Sequence, residues 1–332
     1  MSGALMTAEM DEQPAVLGRL AERFEDHAAR VRAIVPDRLA GVAFLARGSS
    51  DNAAVYGRYL CELAGGRPAG LIAPSLLTLY DARLDYDGYL VVALSQSGAT
   101  PEIVTVCERL RAAGARTVAI VNDAGSPLAE AVEAVVAIEA GDERAVPATK
   151  TVTGQLLAVA AVASALGPVP FDSGALVALP GEVRALLADP AEPRALAQWL
   201  AGAERLFVVA RGLLYAAALE AALKVKETAR IFAEGMSVAD FRHGPIAAVD
   251  EHVPVLALAH AGPSQHDVRD LVATLEARGV PVGALTLPAT VPEALAPIAA
   301  VVRAQQLALA LTLARGLDPD APAGISKVTE TH

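Results

Sequence analysis

The chain has 332 residues, with 27 basic and 38 acidic side chains and a formal net charge of −11. Hydrophobic residues make up 54% and charged ones 20%, which supports a sizeable core and rules out wholesale disorder. A nucleic-acid binder, which needs a basic stripe, is disfavoured because no Lys/Arg-rich run is present. No stretch reaches the roughly 18 uncharged apolar residues of a membrane span. Residues 156–166 come nearest. The N-terminus lacks the basic flank and apolar core of a signal peptide, so a soluble cytoplasmic protein is expected. Cys61 and Cys107 form no CxxC pair and read as buried small hydrophobes.

Residues 11–33 read as an amphipathic N-terminal helix. Apolar runs then alternate with helical patterns: strand 41–46, helix 51–63, strand 89–94, helix 101–113, strands 117–121 and 135–138, and a long helix over 151–166. Continuous apolar strands separated by helices predict an α/β fold with a parallel sheet covered on both faces. The Pro/Gly-rich stretch 167–180 reads as a linker.

The second half repeats the first. Phe44-Leu45-Ala46-Arg47-Gly48 matches Val208-Val209-Ala210-Arg211-Gly212 at an offset of 164, and Ala53-Ala54 matches Ala217-Ala218. The segment 91–98 matches 255–262 at the same offset, and Gly114 matches Gly279 with a slip of one. The expected organisation is therefore a tandem duplication. Its parts are an N-terminal helical segment (1–34), a first domain (35–166), a linker and helix (167–195), a second domain (196–317) and a tail (318–332). The copies differ where the second strand ends: Ser95-Gln96-Ser97-Gly98-Ala99-Thr100-Pro101 in one, Ala259-His260-Ala261-Gly262-Pro263 in the other. Hydroxyls kept in one copy and lost from its twin point to a ligand.

Thr100 is expected to be an N-cap, followed by Pro101 at the first helical position. The loop lies at the carboxyl end of a parallel strand, where open α/β sheets bind ligands. Backbone N–H groups and the positive end of a helix favour an anion there, and Ser95, Gln96, Ser97 and Thr100 add neutral donors. A phosphate held without a metal fits this set, and the loop is not a nucleoside-triphosphate loop. Gly48-Ser49-Ser50, after the first strand, is either a helix start or a second wall of that site.

Only four of the basic residues are lysines: Lys150, Lys224, Lys226 and Lys327. Glu220, Leu223, Lys224 and Glu227 fall at i, i+3, i+4 and i+7 on one helix face. Such a face is either a solvated salt-bridge ladder or an active-site wall. The lysine economy of the chain favours the wall, with Glu227 suited to move a proton between adjacent carbons. His243, in the loop EGMSVADFRHGP, is a candidate acid–base. Ser326 and Lys327 lie in a polar tail.

Five motifs together carry a resemblance: SQSGAT after a strand, RG-x2-Y-x3-LE-x2-LK-x-KE over 211–227, AE-x8-HGP over 233–245, VPATK at 146–150 and the tail DPDAPAGISKVTE. They are similar to the tandem sugar-isomerase (SIS) domains found in the isomerase half of glucosamine-6-phosphate synthase. The resemblance covers residues 35–330 and implies two flavodoxin-like domains, each with a five-stranded parallel sheet. It implies that Ser50, Ser95, Gln96, Ser97 and Thr100 bind a sugar phosphate, with Gly48 and Ser49 beside them. Glu227 would move the proton between C1 and C2, and His243 would open the sugar ring from the neighbouring subunit of a homodimer. Lys224 and Glu220 would flank the substrate, and Ser326 and Lys327 would lie in a tail that closes the site. No metal or organic cofactor is implied.

The departures shape the expectation. The chain begins MSGALMTAEMDEQP, where the synthase family carries a glutaminase domain with an N-terminal cysteine, so no glutamine hydrolysis is expected. Ala148 stands in place of a serine, and Arg47-Gly48-Ser49-Ser50 in place of Cys-Gly-Thr-Ser. The expected activity is an amino-sugar 6-phosphate deaminase-isomerase. Alternatives are a lyase that eliminates water from an N-acetylamino-sugar phosphate, a fructosamine-phosphate deglycase, and a non-catalytic sugar-phosphate sensor.

Overall fold

The computed structural model describes residues 3–327. In chain order the elements are helices α1 (Ala4–Asp11), α2 (Gln13–Glu22) and α3 (Phe24–Arg32), strand β1 (Gly41–Leu45), α4 (Ser49–Gly65), β2 (Ala69–Leu71), α5 (Ser75–Thr78), β3 (Tyr89–Ser95), α6 (Pro101–Ala112), β4 (Arg116–Val121), α7 (Pro127–Glu130), β5 (Ala134–Ala137) and α8 (Lys150–Leu166). There follow α9 (Ser173–Ala188), α10 (Ala191–Leu200), β6 (Arg205–Ala210), α11 (Tyr215–Ala229), β7 (Phe232–Ser237), α12 (Val238–Arg242), β8 (Val255–Leu258), α13 (Gln265–Ala277), β9 (Val282–Leu285) and α14 (Ala296–Ala314). The chain forms two compact units. The first holds Ala15–Glu143 and Lys150–Asp172; the second holds the described part of Met1–Pro14, together with Arg144–Thr149 and Ser173–Lys327.

In the first unit five parallel strands run in the order β2-β1-β3-β4-β5, the doubly wound arrangement. On one face α5, α6 and α7 cover Ala43, Leu45, Val91, Ala93 and Val121. On the other, α4 and α8 pack together against the sheet. Gly57 of α4 is what permits that approach. A Cβ there would meet the Phe44 ring of β1 at 2.6 Å and Val159 of α8 at 3.0 Å.

The second unit carries a four-stranded parallel sheet among the described residues, order β7-β6-β8-β9, where five strands were expected. The repeat offset of 164 carries β1 onto β6, α4 onto α11, β2 onto β7, β3 onto β8, α6 onto α13 and β4 onto β9. Then it fails. Between β4 and α8 lie 28 residues, 122–149, which include β5; between β9 and α14 lie only 10, residues 286–295. That shorter connection contains Pro288 and Pro292, which have no N–H for a sheet ladder.

Three local expectations need correction. The helix read over 11–33 is two helices, α2 and α3, joined at Arg23, and α1 precedes them. The linker read over 167–180 is loop only to residue 172; α9 then runs on with Pro180 inside it. The longest apolar helix is α14 rather than 156–166. By length and composition it could cross a membrane, yet 83% of that stretch is buried in the fold. Cys61 and Cys107 are free and buried, and burial raises both thiols, Cys107 to about 12. Neither is a nucleophile at neutral pH.

His27 of α3 is buried, and neither ring nitrogen has a hydrogen-bond partner. Burial, with the charges of Arg23 and Arg30, lowers its pKa from 6.5 against the weaker pull of Glu139 and Asp26. Below about pH 6.5 the unfolded chain takes up a proton that folded His27 refuses, so stability falls as pH drops and is unaffected above. We expect His27→Leu to remove part of the stability loss between pH 7.5 and 5.5. Urea unfolding at both pH values measures it, and equal losses in the two proteins would refute it.

Candidate active site

Strands β1 and β3 are neighbours, so the loops that leave them open at the same edge of the first sheet. Gly48 turns into α4 with φ 61 and ψ −134, a conformation for glycine. Ser49 and Ser50 follow as the first residues of the helix. Ser50 is buried, and its Oγ accepts a hydrogen bond from Gln155 Nε2 at 2.9 Å, which leaves the hydroxyl proton to be donated.

The β3 loop holds itself in shape. Gly98 N–H donates to Ser95 Oγ at 3.1 Å, and Ala99 N–H donates to Ser97 Oγ at 3.2 Å. Gly98 has φ 60, and a Cβ there would come within 2.2 Å of the buried Ser126 hydroxyl. Thr100 occupies the N-cap position of α6 without a side-chain cap bond, so its hydroxyl is not committed to the helix. Gln96, Ser97 and Thr100 are half-buried. The N-termini of α4 and α6 both face this edge and give it positive potential.

Arg47 adds a brace that the sequence reading did not foresee. Its guanidinium grips buried Glu102 with two parallel bonds, Nε to Oε2 and Nη2 to Oε1, each 3.1 Å, and so ties the end of β1 to the first turn of α6. The signal lay in the departure at Arg47, beside a glutamate just after SQSGAT.

In the second unit Glu220, Lys224 and Glu227 share one face of α11. Lys224 Nζ lies 2.5 Å from Glu227 Oε2 and 3.6 Å from Glu220 Oε1. The side chains of Glu220 and Lys224 are each 1% exposed, whereas Glu227 is 24% exposed. The face is therefore no solvated ladder. Lys224 thus engages one oxygen of Glu227, Oε2, from within the buried face. Close packing brings β7 to this helix: a Cβ on Gly235 would lie 2.6 Å from the Ala218 carbonyl oxygen. His243 stands exposed at the C-cap of α12, its N–H donating to the Asp240 carbonyl at 3.0 Å. Ser326 is exposed and Lys327 half-buried, while tail residues 328–332 lie outside the described structure. Among the described residues no group of three His, Cys, Asp or Glu converges as a metal site.

The second copy fills its equivalent loop with its own carboxylate. Gly262 and Ser264 stand 164 residues beyond Gly98 and Thr100. Ser264 donates to Glu293 Oε1 at 2.6 Å, and a Cβ on Gly262 would meet Glu293 Oε2 at 2.3 Å. Buried His260, in the place of Gln96, sets its ring nitrogens 2.9 and 3.0 Å from the carbonyl oxygens of Ala261 and Pro288. Glu293 and Pro288 both come from the short β9–α14 connection.

The SIS domain family matches residues 41–165 and 199–312. The glutamine–fructose-6-phosphate aminotransferase (isomerizing) of Methanothermobacter thermautotrophicus is 31% identical over 97% of this chain and 56% of its own length. The chain thus spans about half the length of the curated relatives it matches. A solved protein from Silicibacter pomeroyi, provisionally named a phosphosugar isomerase, superposes with a TM-score of 0.88 at 33% identity, over 95% of this chain and 99% of that one. The glucosamine-6-phosphate deaminase of Thermotoga maritima shares the fold, with a TM-score of 0.81 at 21% identity over 98% of this chain and 100% of its own.

Glu293→Ala leaves the Ser264 hydroxyl and the N-terminus of α13 without their anion. We expect a stability loss of about 1–3 kcal/mol, part of it restored by millimolar inorganic phosphate. The check is thermal unfolding with and without phosphate: an equal phosphate response in variant and wild type would contradict this reading.

Proposed function

The chain belongs to the SIS domain family, and on that premise we propose that it is an amino-sugar 6-phosphate deaminase-isomerase, converting glucosamine 6-phosphate to fructose 6-phosphate and ammonia. The observation that carries the reading is Glu227, oriented by buried Lys224 and reaching solvent at the end of an otherwise desolvated face. Phosphate is the handle, bound by Ser50, Ser95, Gln96, Ser97 and Thr100. His243 opens the pyranose to the C1 aldehyde. Glu227 takes the C2 proton, giving a C1–C2 enolamine, and returns a proton to C1. The resulting C2 imine adds water and releases ammonia, leaving the C2 ketone. Proton transfer by a positioned carboxylate contributes about 10²–10⁴-fold in rate. A protonated neighbour such as Lys224 lowers the cost of charge that builds up on the substrate oxygens.

The exposure of His243 suits a residue that serves a second copy of the chain in a symmetric homodimer. A proton NMR time course in D2O tests the chemistry. With glucosamine 6-phosphate, loss of the C2 proton as fructose 6-phosphate appears is the expected result. An olefinic signal from the N-acetylated sugar would replace deamination with elimination. If neither sugar changes and no deuterium enters C2, the reading fails.

Two variants refine it. Glu227→Gln should lower kcat by about 10²-fold or more while leaving the affinity for sugar phosphate, read by calorimetry, within about threefold. Wild-type turnover in that variant would remove Glu227 from the chemistry. Unfolded and refolded together, inactive Glu227→Gln and His243→Ala chains should recover about one quarter of wild-type activity, because half the dimers then carry one complete set. No recovery would mean that each site draws both residues from one chain.

A further inference from the structure

Three separated stretches of the second unit converge on one aspartate. The Asp320 carboxylate accepts hydrogen bonds from the backbone N–H groups of Met6 at 2.8 Å and Leu5 at 3.3 Å, at the start of α1. Its own carbonyl oxygen accepts from the N–H of Val146 at 3.0 Å. At the other end of α1, buried Glu9 accepts from the N–H groups of Arg144 and Ala145. Beneath these bonds Met6, Met10 and Ala145 form an apolar cluster with Leu187 and Leu309. Gly3 lets the chain pass this close, since a Cβ there would lie 2.8 Å from Pro319 Cγ.

We infer that α1 is a clasp that holds two segments in place before substrate arrives: the start of VPATK and the tail that leads to Ser326 and Lys327. Asp320 and Glu9 are its positioning residues. The inference rests on the proposed reaction, in which Lys327 belongs to the closing tail. Asp320 satisfies two of the N–H groups that every helix N-terminus leaves orphaned, and its negative charge favours that end of the helix. The tail is thereby anchored six residues before Ser326, so that little chain remains to be ordered when the sugar phosphate binds. Ordering that is complete beforehand is not charged against affinity.

The test has two arms. In the ligand-free protein, Asp320→Ala should speed hydrogen–deuterium exchange in the peptide spanning residues 318–327, and unchanged exchange overturns the clasp whatever the enzyme does. In turnover of glucosamine 6-phosphate, the same variant should raise KM about tenfold with kcat within about twofold, since saturating substrate still closes the tail. A merely structural aspartate would lower the melting temperature and leave KM untouched, and that result also overturns the inference. Asp320→Asn, which keeps one acceptor oxygen, should recover part of the affinity, and it carries both arms if the alanine variant does not fold. Were the wild-type protein inert toward every sugar phosphate, the proposed function would fall while the exchange arm still decided the clasp.

Discussion

A lysine with 1% of its side chain exposed is the constraint around which the second unit is organised. Moving one such ion out of water costs several kcal/mol even after the protein relaxes. Lys224 meets that cost with carboxylates at i−4 and i+3, both within reach from its own helix. The pairing also suppresses repulsion between Glu220 and Glu227. The rest of α11 is chosen to keep water away from this group. Ala216, Ala217, Ala218, Ala221 and Ala222 are buried and small, and they let α14 and β7 press close. What reaches the surface is the end of Glu227, oriented and singly engaged.

The duplicated units show one scaffold put to two uses. In the first, the loop after β3 keeps its serine oxygens bonded to its own backbone N–H groups, which fixes the loop while leaving O–H groups to be donated outward. In the second, the corresponding glycine and hydroxyl lie against Glu293. The carboxylate comes from the short connection, which carries no fifth strand. The short connection thus goes with the smaller sheet and sets an internal anion at the helix N-terminus, where an external one would otherwise be favoured.

What the sequence disclosed was local. Strands β1, β3 and β4 are apolar runs, and the SQSGAT loop and the α11 face lie within a few residues of chain, so spacing alone placed their side chains together. The repeat was legible because its offset survives from β1 through β4. Contacts between distant positions were not. Nothing near Glu293 signals Ser264, 29 residues earlier, and nothing near Asp320 signals Met6, 314 residues away. The three-residue edge strand β2 (AGL) is too short for a period to show. Pro180 read as a breaker although α9 continues through it, and the missing fifth strand of the second sheet was hidden because the family resemblance implied equal sheets.

The strand that the first copy has and the second lacks is an edge strand, flanked by a neighbour on one side only. Doing without it forgoes one ladder, β4-to-β5 in the first copy's terms, whereas removing any inner strand would orphan two rows of backbone donors and acceptors. Duplicated folds of this kind can therefore be trimmed from the margin inward and not from the middle. In the first unit β5 is such a margin: it pairs with β4 alone, whereas β1, β3 and β4 are each paired on both sides.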